Sequence, residues 1–359
     1  MFPRGVSAMS AGGAVLVTAG LLACTTTPPS TTGPTAPPAS PAAPSPTSAA
    51  AACDGYPSRN IEVVIPSSPG GAFDFWGRLI AGGLEEHLPG DVAVVPMNRP
   101  GGGQMLGSTE VYNAPSDGYT LLFMEPGRIA TAQTLGETDI DVKSFRGIAQ
   151  VNVQPEVMVI GGQSEWDTVD EVLAASEQSP IRFGHDGLAA VQVLPLEILG
   201  IQWQGVLHEG RSEVVLAMAR GDVDMMIFAV TSLADGILAA EHKPLLIIGE
   251  KPAEGEPGYE AVADTPTFSE QAGSELEALG DALAQHRMLM APPETPDCVI
   301  EILETAALAS MEDPDLLQRV EQSDEAVHPR SAGETQQIID NALDALQPYA
   351  ELLQGTLEE

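Results

Sequence analysis

Positive charge is scarce in this chain: 15 lysines and arginines stand against 51 aspartates and glutamates, a formal net charge of −36. So acidic a surface repels a phosphate backbone, which excludes nucleic acid as a partner. Only three lysines occur, Lys143, Lys243 and Lys251. The acids are spread along the body and not gathered in a tail, the pattern of a solvated surface adapted to salt, whose self-repulsion favours a monomer. Metal-ligand spacing is missing too: there is no HExxH or CxxC, and the six histidines do not pair, so no metal and no other cofactor is expected. No G-x-S-x-G elbow is present, which leaves no catalytic nucleophile to nominate. The run Gly102–Thr109 has the outline of a nucleotide phosphate loop, but Ser108 stands where the lysine belongs, and nucleotide binding is rejected. The apolar run Ala11–Ala23 falls short of the about 20 residues of a membrane span and is interrupted by Gly12, Gly13 and Gly20.

That run ends in Leu21-Leu22-Ala23-Cys24 behind a lone basic residue, Arg4. Residues 1–24 therefore resemble a bacterial lipoprotein signal, cleaved before Cys24 with lipid on its sulfur, the alternative being an ordinary secretory signal. Either reading sets the protein outside the cytoplasm, and the first anchors it to the cell membrane. Residues 25–53 are Thr, Pro, Ser and Ala almost throughout and bury no core, so they read as a disordered tether. With Cys24 given to lipid, Cys53 and Cys298 remain as an even pair in an oxidising compartment, a possible disulfide.

The body from Asp54 onward is long enough for two lobes. It opens as strand, glycine loop, helix: Ile61–Ile65, then Pro66 to Gly71, then Ala72–Leu88 with Phe75, Leu79, Ile80, Leu84 and Leu88 on one face. A strand over Val92–Pro96, a helix through Val111 and a strand ending at Phe123 follow. Strands at 156–160, 181–183, 223–229 and 245–248 then alternate with helices at 169–176, 189–199, 214–219 and 233–240. Such alternation predicts an α/β fold with parallel sheet character. From Pro296 the chain reads as helical, over 300–309, 315–322 and 332–353.

A glycine turn entering a helix offers unpaired amides at the positive end of a dipole. Gly70-Gly71 is the best candidate for such an anion site, although glycine also serves a turn with no ligand. Asp74 would complement the dipole or cap free amides in the first turn. His185-Asp186 could be a base with its orienting carboxylate, but sequence neighbours seldom aim at one atom, so a ligand contact is the better reading.

Four motifs in one order carry a resemblance: Tyr56-Pro57-Ser58-Arg59; Val64-Ile65-Pro66-x-x-Pro69-Gly70-Gly71-x-x-Asp74; Asn98-Arg99-Pro100-Gly101-x-Gly103; and Pro115-x-Asp117-Gly118-Tyr119-Thr120-Leu121. With Gly221-Asp222-Val223-Asp224, Asp264-Thr265-Pro266-Thr267 and Ala291-Pro292-x-x-Thr295-Pro296, the chain is similar to the tripartite tricarboxylate transporter receptors, or Bug receptors, over nearly all of residues 56–350. The resemblance implies a two-lobed, type II periplasmic-binding-protein-like α/β fold, without catalysis, closing on a small organic carboxylate for delivery to membrane permease subunits. It implies a first lobe of 54–149 and about 285–359, and a second lobe of about 150–284. It implies ligand contacts from Ser68, Gly70, Gly71 and Ala72 supported by Asp74, an opposing wall of Met124, Glu125 and Pro126, and second-lobe contacts from His185, Asp186, Gly187, Phe228 and Ala229.

Three departures from the family pattern stand out: Glu125 in place of Ser or Thr, Phe228 in place of Asp, and His208-Glu209-Gly210 in place of a tyrosine-lysine-glycine run. A carboxylate touching Glu125 would meet repulsion of about 4 kcal/mol at intermediate dielectric unless Arg128 neutralises it or Glu125 points away. A neutral or cationic solute, or a sensor or scaffold role through a protein partner, are therefore the alternatives.

Overall fold

The computed structural model describes residues 53–187 and 189–357, so the expected signal, Cys24 and all but the last residue of the tether lie outside the described residues. In chain order the strands are β1 (Ile61–Ile65), β2 (Val94–Asn98), β3 (Thr120–Met124), β4 (Arg146–Gln154), β5 (Glu156–Gly161), β6 (Ile181–His185), β7 (Trp203–Leu207), β8 (Met225–Ala229), β9 (His242–Ile248) and β10 (Gln285–Ala291). The α-helices are α1 (Ala72–His87), α2 (Met105–Tyr112), α3 (Pro126–Thr134), α4 (Val169–Ser176), α5 (Ala190–Leu199), α6 (Arg211–Arg220), α7 (Val230–Leu238), α8 (Tyr259–Val262), α9 (Phe268–Ala272), α10 (Glu277–Leu283), α11 (Asp297–Met311), α12 (Pro314–Glu321), α13 (Ala332–Leu346) and α14 (Ala350–Leu357).

The strands form two mixed sheets of five, ordered β2-β1-β3-β10-β4 and β7-β6-β8-β5-β9. β1 pairs in parallel with β2 and β3, while β10 returns antiparallel between β3 and β4. In the second sheet β6 is parallel to β7 and β8, and β5 is antiparallel to β8 and β9. Both sheets are covered on both faces, which is why strands such as IEVVI and MMIFA read as continuous apolar runs. On the first sheet Trp76 and Leu84 of α1 and Leu303 and Ala307 of α11 pack with Phe123 and Ile148, and Ile339 and Leu346 of α13 lie on the other face with Met288 and Met290. On the second, Val172 and Leu194 meet Met158 and Phe183, and Val214 and Leu233 meet Val159 and Met226. Ser331 and Glu334 close a capping box at α13, and Thr267 and Glu270 another at α9.

The second strand begins two residues later than the pattern suggests, and the helix read over 332–353 is divided at Pro348 by a 3-10 turn, Gln347–Tyr349. The crossing expected at 149–150 falls inside β4: the chain stays in the first sheet to Gln154 and enters the second at Glu156, with only Pro155 between. The return to the first sheet occurs at β10, at residue 285. α14, assigned by sequence to the first lobe, packs instead on α5, which flanks the second sheet. Cys53 is bonded to Cys298, with Cα atoms 6.1 Å apart. No helix among the described residues is long and apolar enough to cross a membrane.

Candidate ligand-binding cleft

Parallel strands bring their C-terminal ends to one side of each sheet, and the loops leaving those ends meet across a cavity of about 1590 Å³. That exceeds the few hundred to about 1,000 Å³ of a pocket closed on a small molecule and suits an open cleft. One wall comes from Gly102, Gly103 and Met105 after β2, and from Glu125 and Arg128 after β3. The facing wall carries His185 to Gly187 after β6, the start of α5 from Ala189 to Gln192, and Phe228 on β8. Glu156 and Gln285, the first residues of β5 and β10, lie between them.

Four of the thirteen expected ligand contacts fall on α5's side of this cavity: His185, Asp186, Gly187 and Phe228; Glu125 falls on the other. The remaining eight do not line it. Ser68, Gly70, Gly71 and Ala72 form an exposed rim. Asp74 is buried beside that rim and already accepts from the Gly70 amide at 2.9 Å, from Arg78 Nε at 2.8 Å and from Asn98 Nδ2 at 2.9 Å. Burial raises the Asp74 pKa, but the hydrogen bonds from Arg78, Gly70 and Asn98 outweigh it and hold the carboxyl below its ordinary range. The Gly70 amide is thus occupied by Asp74, and Gly70 takes φ +92°, a conformation other residues rarely adopt. Met124 points into the first-sheet core, Pro126 is buried as the first residue of α3, and Ala229 pairs with Glu156 at the end of β8.

The helix that does open into the cavity is α5. Its start, after Ala189, has no side-chain cap, and Ala190 and Val191, first-turn residues whose amides have no intrahelical partner, line the cleft. Gly187, at φ +139°, brings the chain into that start. Beside it, His185 stacks on Phe183 with ring centroids 6.3 Å apart, and its Nδ1 has no partner. Burial lowers the His185 pKa, against Asp186, which raises it, so its ring is neutral at physiological pH.

Opposite stands Glu125 at the entry to α3, only 6% exposed. Arg128 reaches back one helical turn to place Nε 3.0 Å from Glu125 Oε2, while Oε1 has no partner. Glu156, which no motif in the sequence marks, is 3% exposed and accepts a short hydrogen bond from Gln285 Nε2. Burial first, and then the charge of Glu125, push its carboxyl up to about 7, against the lowering effect of Gln285, Arg128 and Arg287. An acid opening a β-branched strand looks solvated in sequence; only the neighbouring start of β10 reveals the burial.

A family model described as tripartite tricarboxylate transporter family receptor matches residues 77–353. Among curated relatives, a UPF0065 protein from the tcbD-tcbE intergenic region of Pseudomonas sp. (strain P51) is 29% identical over 77% of this chain and 81% of its own length. Protein BugT of Bordetella pertussis is 24% identical over 62% and 73%. Among solved structures, a TctC solute binding protein from Polaromonas superposes with a TM-score of 0.69 at 21% identity, covering 84% of this chain and 100% of that one. MatC from Rhodopseudomonas palustris with bound malate gives 0.62 at 22% identity, over 82% and 100%. Rpa4515 of R. palustris with adipate gives 0.63 at 21%, over 84% and 98%. These likenesses show the fold, an α/β periplasmic solute-binding architecture.

Proposed function

The chain belongs to the tripartite tricarboxylate transporter receptor family, whose members are solute-binding receptors and not enzymes, and from that premise we propose that it captures a small organic carboxylate outside the cytoplasm and hands it to the membrane permease subunits of a tripartite transporter. The observation that carries the reading is the uncapped start of α5, whose first residues, Ala190 and Val191, line the cleft. Two N–H groups at the positive end of a ten-residue helix are a carboxylate site without further side chains. The ligands named for the two neighbours, malate and adipate, are acids of this class. The single residue between β4 and β5 is a hinge about which the lobes can close. Lipid on Cys24 would hold the receptor at the membrane, within reach of its permease.

The test uses a substitution that removes one donor and keeps the helix. Proline is tolerated at the first helical position, where its missing N–H is one of the orphans, so Ala190→Pro deletes an amide aimed at the ligand. Isothermal titration of the purified protein with malate, adipate and a panel of other small carboxylates should find at least one binder. Ala190→Pro should weaken that binder about tenfold with the fold intact by circular dichroism, the loss expected for a hydrogen bond to a charged group. Undiminished affinity in the variant would remove the carboxylate from α5.

A further inference from the structure

The unsatisfied side-chain groups on the cavity wall are acceptors among the described residues. Glu125 Oε1 has no partner, and neither does Gln192 Oε1, on a side chain that is 6% exposed. The orientation of Gln192 is fixed, since its Nε2 donates 3.3 Å to the Ile227 carbonyl and a flipped amide would set two oxygens together. A neutral His185 adds Nδ1, also unpartnered. A ligand that satisfies this wall must bring donors.

The charges point the same way. Five carboxylates line the cavity, Glu125, Glu137, Glu156, Asp186 and Glu197, against the single guanidinium of Arg128. Two of the five, Glu125 and Glu156, are more than nine-tenths buried. Among the described residues Arg128 forms its ion pair with Glu125, while the hydrogen bond to Glu156 comes from the neutral Gln285. Arg287, the nearest other cation on β10, is committed to Asn152 at 2.9 Å and to Glu325 at 3.6 Å. With Arg128 on Glu125, an ionised Glu156 is a buried negative charge without an ion-pair partner among the described residues. Proteins neutralise such a charge with a proton or a bound cation.

We propose that the solute carries a protonated amine, held by Glu125 and Glu156 while its carboxylate meets the start of α5, so that the receptor takes amino carboxylates and not dicarboxylates. This rests on the solute-receptor reading above and narrows it. The ammonium supplies donors to Glu125 Oε1 and to Glu156 and cancels the charge of an ionised Glu156 on closing. It also displaces the proton that Glu156 holds when the cleft is empty, since a nearby cation favours the ionised carboxyl. Glu125 at the start of α3 and Arg128 within it, Glu137, His185 and Asp186 at and after the end of β6, Glu197 on α5, His208, and Gln285 and Arg287 on β10 are the charged and polar groups around this space.

The experiment is isothermal titration of the purified protein with ω-amino carboxylates, α-amino acids and dicarboxylates of matched chain length, at about pH 6 and about pH 8, each in two buffers of different ionisation enthalpy. With one carboxyl titrating near 7, an amine-bearing ligand should bind about tenfold more tightly at the higher pH and release a proton at the lower. Glu156→Gln should abolish both the pH dependence and the proton release, and Glu125→Gln should weaken the same ligand at least tenfold. A preference for dicarboxylates, with affinity falling as pH rises and a proton taken up, would overturn the amine and make Glu156 a neutral donor, leaving the receptor reading intact. No heat from any compound with a folded protein would overturn both readings together.

Discussion

Replacing Glu156 by glutamine should stabilise the empty protein, and only at high pH. The unfolded carboxyl titrates at its ordinary 4.5 and the folded one at about 7, so between those values the native state holds more protons than the unfolded. Stability must then fall as pH rises through that window, by roughly 1.4 kcal/mol for each unit, or roughly 3 kcal/mol once the folded carboxyl has ionised. Glutamine keeps the shape and can still accept from Gln285, but carries no charge to desolvate. The variant should match the wild type near pH 4.5 and exceed it by roughly 1–3 kcal/mol above about pH 8, a rise of roughly 5 °C in a body of this size. Differential scanning calorimetry of the oxidised proteins between about pH 5 and pH 8 reads the difference directly. Glu325, whose carboxyl burial also raises, is common to both and cancels. A gap that stays constant across the range, or a variant less stable at the alkaline end, would refute the buried-charge account of the cleft wall.

Other expectations concern the framework that holds the cleft. Arg287→Met should cost about 3–5 kcal/mol in chemical denaturation, because it strands Glu325 and leaves Asn152 and Gln154 short of a donor. Gly83→Ala should destabilise by about 1–3 kcal/mol, since a Cβ there would lie 2.5 Å from Ser310 Cβ where α1 crosses α11; an unchanged melting temperature would mean that the helices separate freely. Serine at both Cys53 and Cys298 should lower stability by about 2–5 kcal/mol, and an oxidised wild type with two titratable thiols would contradict the bond.

What the sequence makes legible follows from which residues are apolar. The first strand and the central strands of the second sheet declare themselves because both faces are covered by hydrocarbon, and α4 because Val169 and Val172 bury one stripe of it. β4 and β10 hide for the opposite reason. Gln150, Asn152 and Gln154 alternate along β4 like solvent-facing residues, yet each is at most 4% exposed. Their partners are His286 and Arg287 of β10 and the carbonyls of Ala326 and His328, all distant in sequence. A polar seam satisfied across more than a hundred residues has the periodicity of a surface, and it moved the expected crossing into the middle of β4. The cleft was legible where a residue type is unusual at its position, as at Glu125 with Arg128 one turn on. It was illegible at Glu156 and at the uncapped start of α5, where the chemistry lies in burial and in backbone amides.

The bond between Cys53 and Cys298 also decides where the molecule can be pulled. Any tension arriving along the chain ahead of Cys53 enters through α11, which packs on α1 over the first sheet, and not through β1 at residues 61–65. Without that shortcut the same tension would shear β1 from its place between β2 and β3. With it, such a load is shared with a helix that covers the first sheet, and the pairing of β1 is spared.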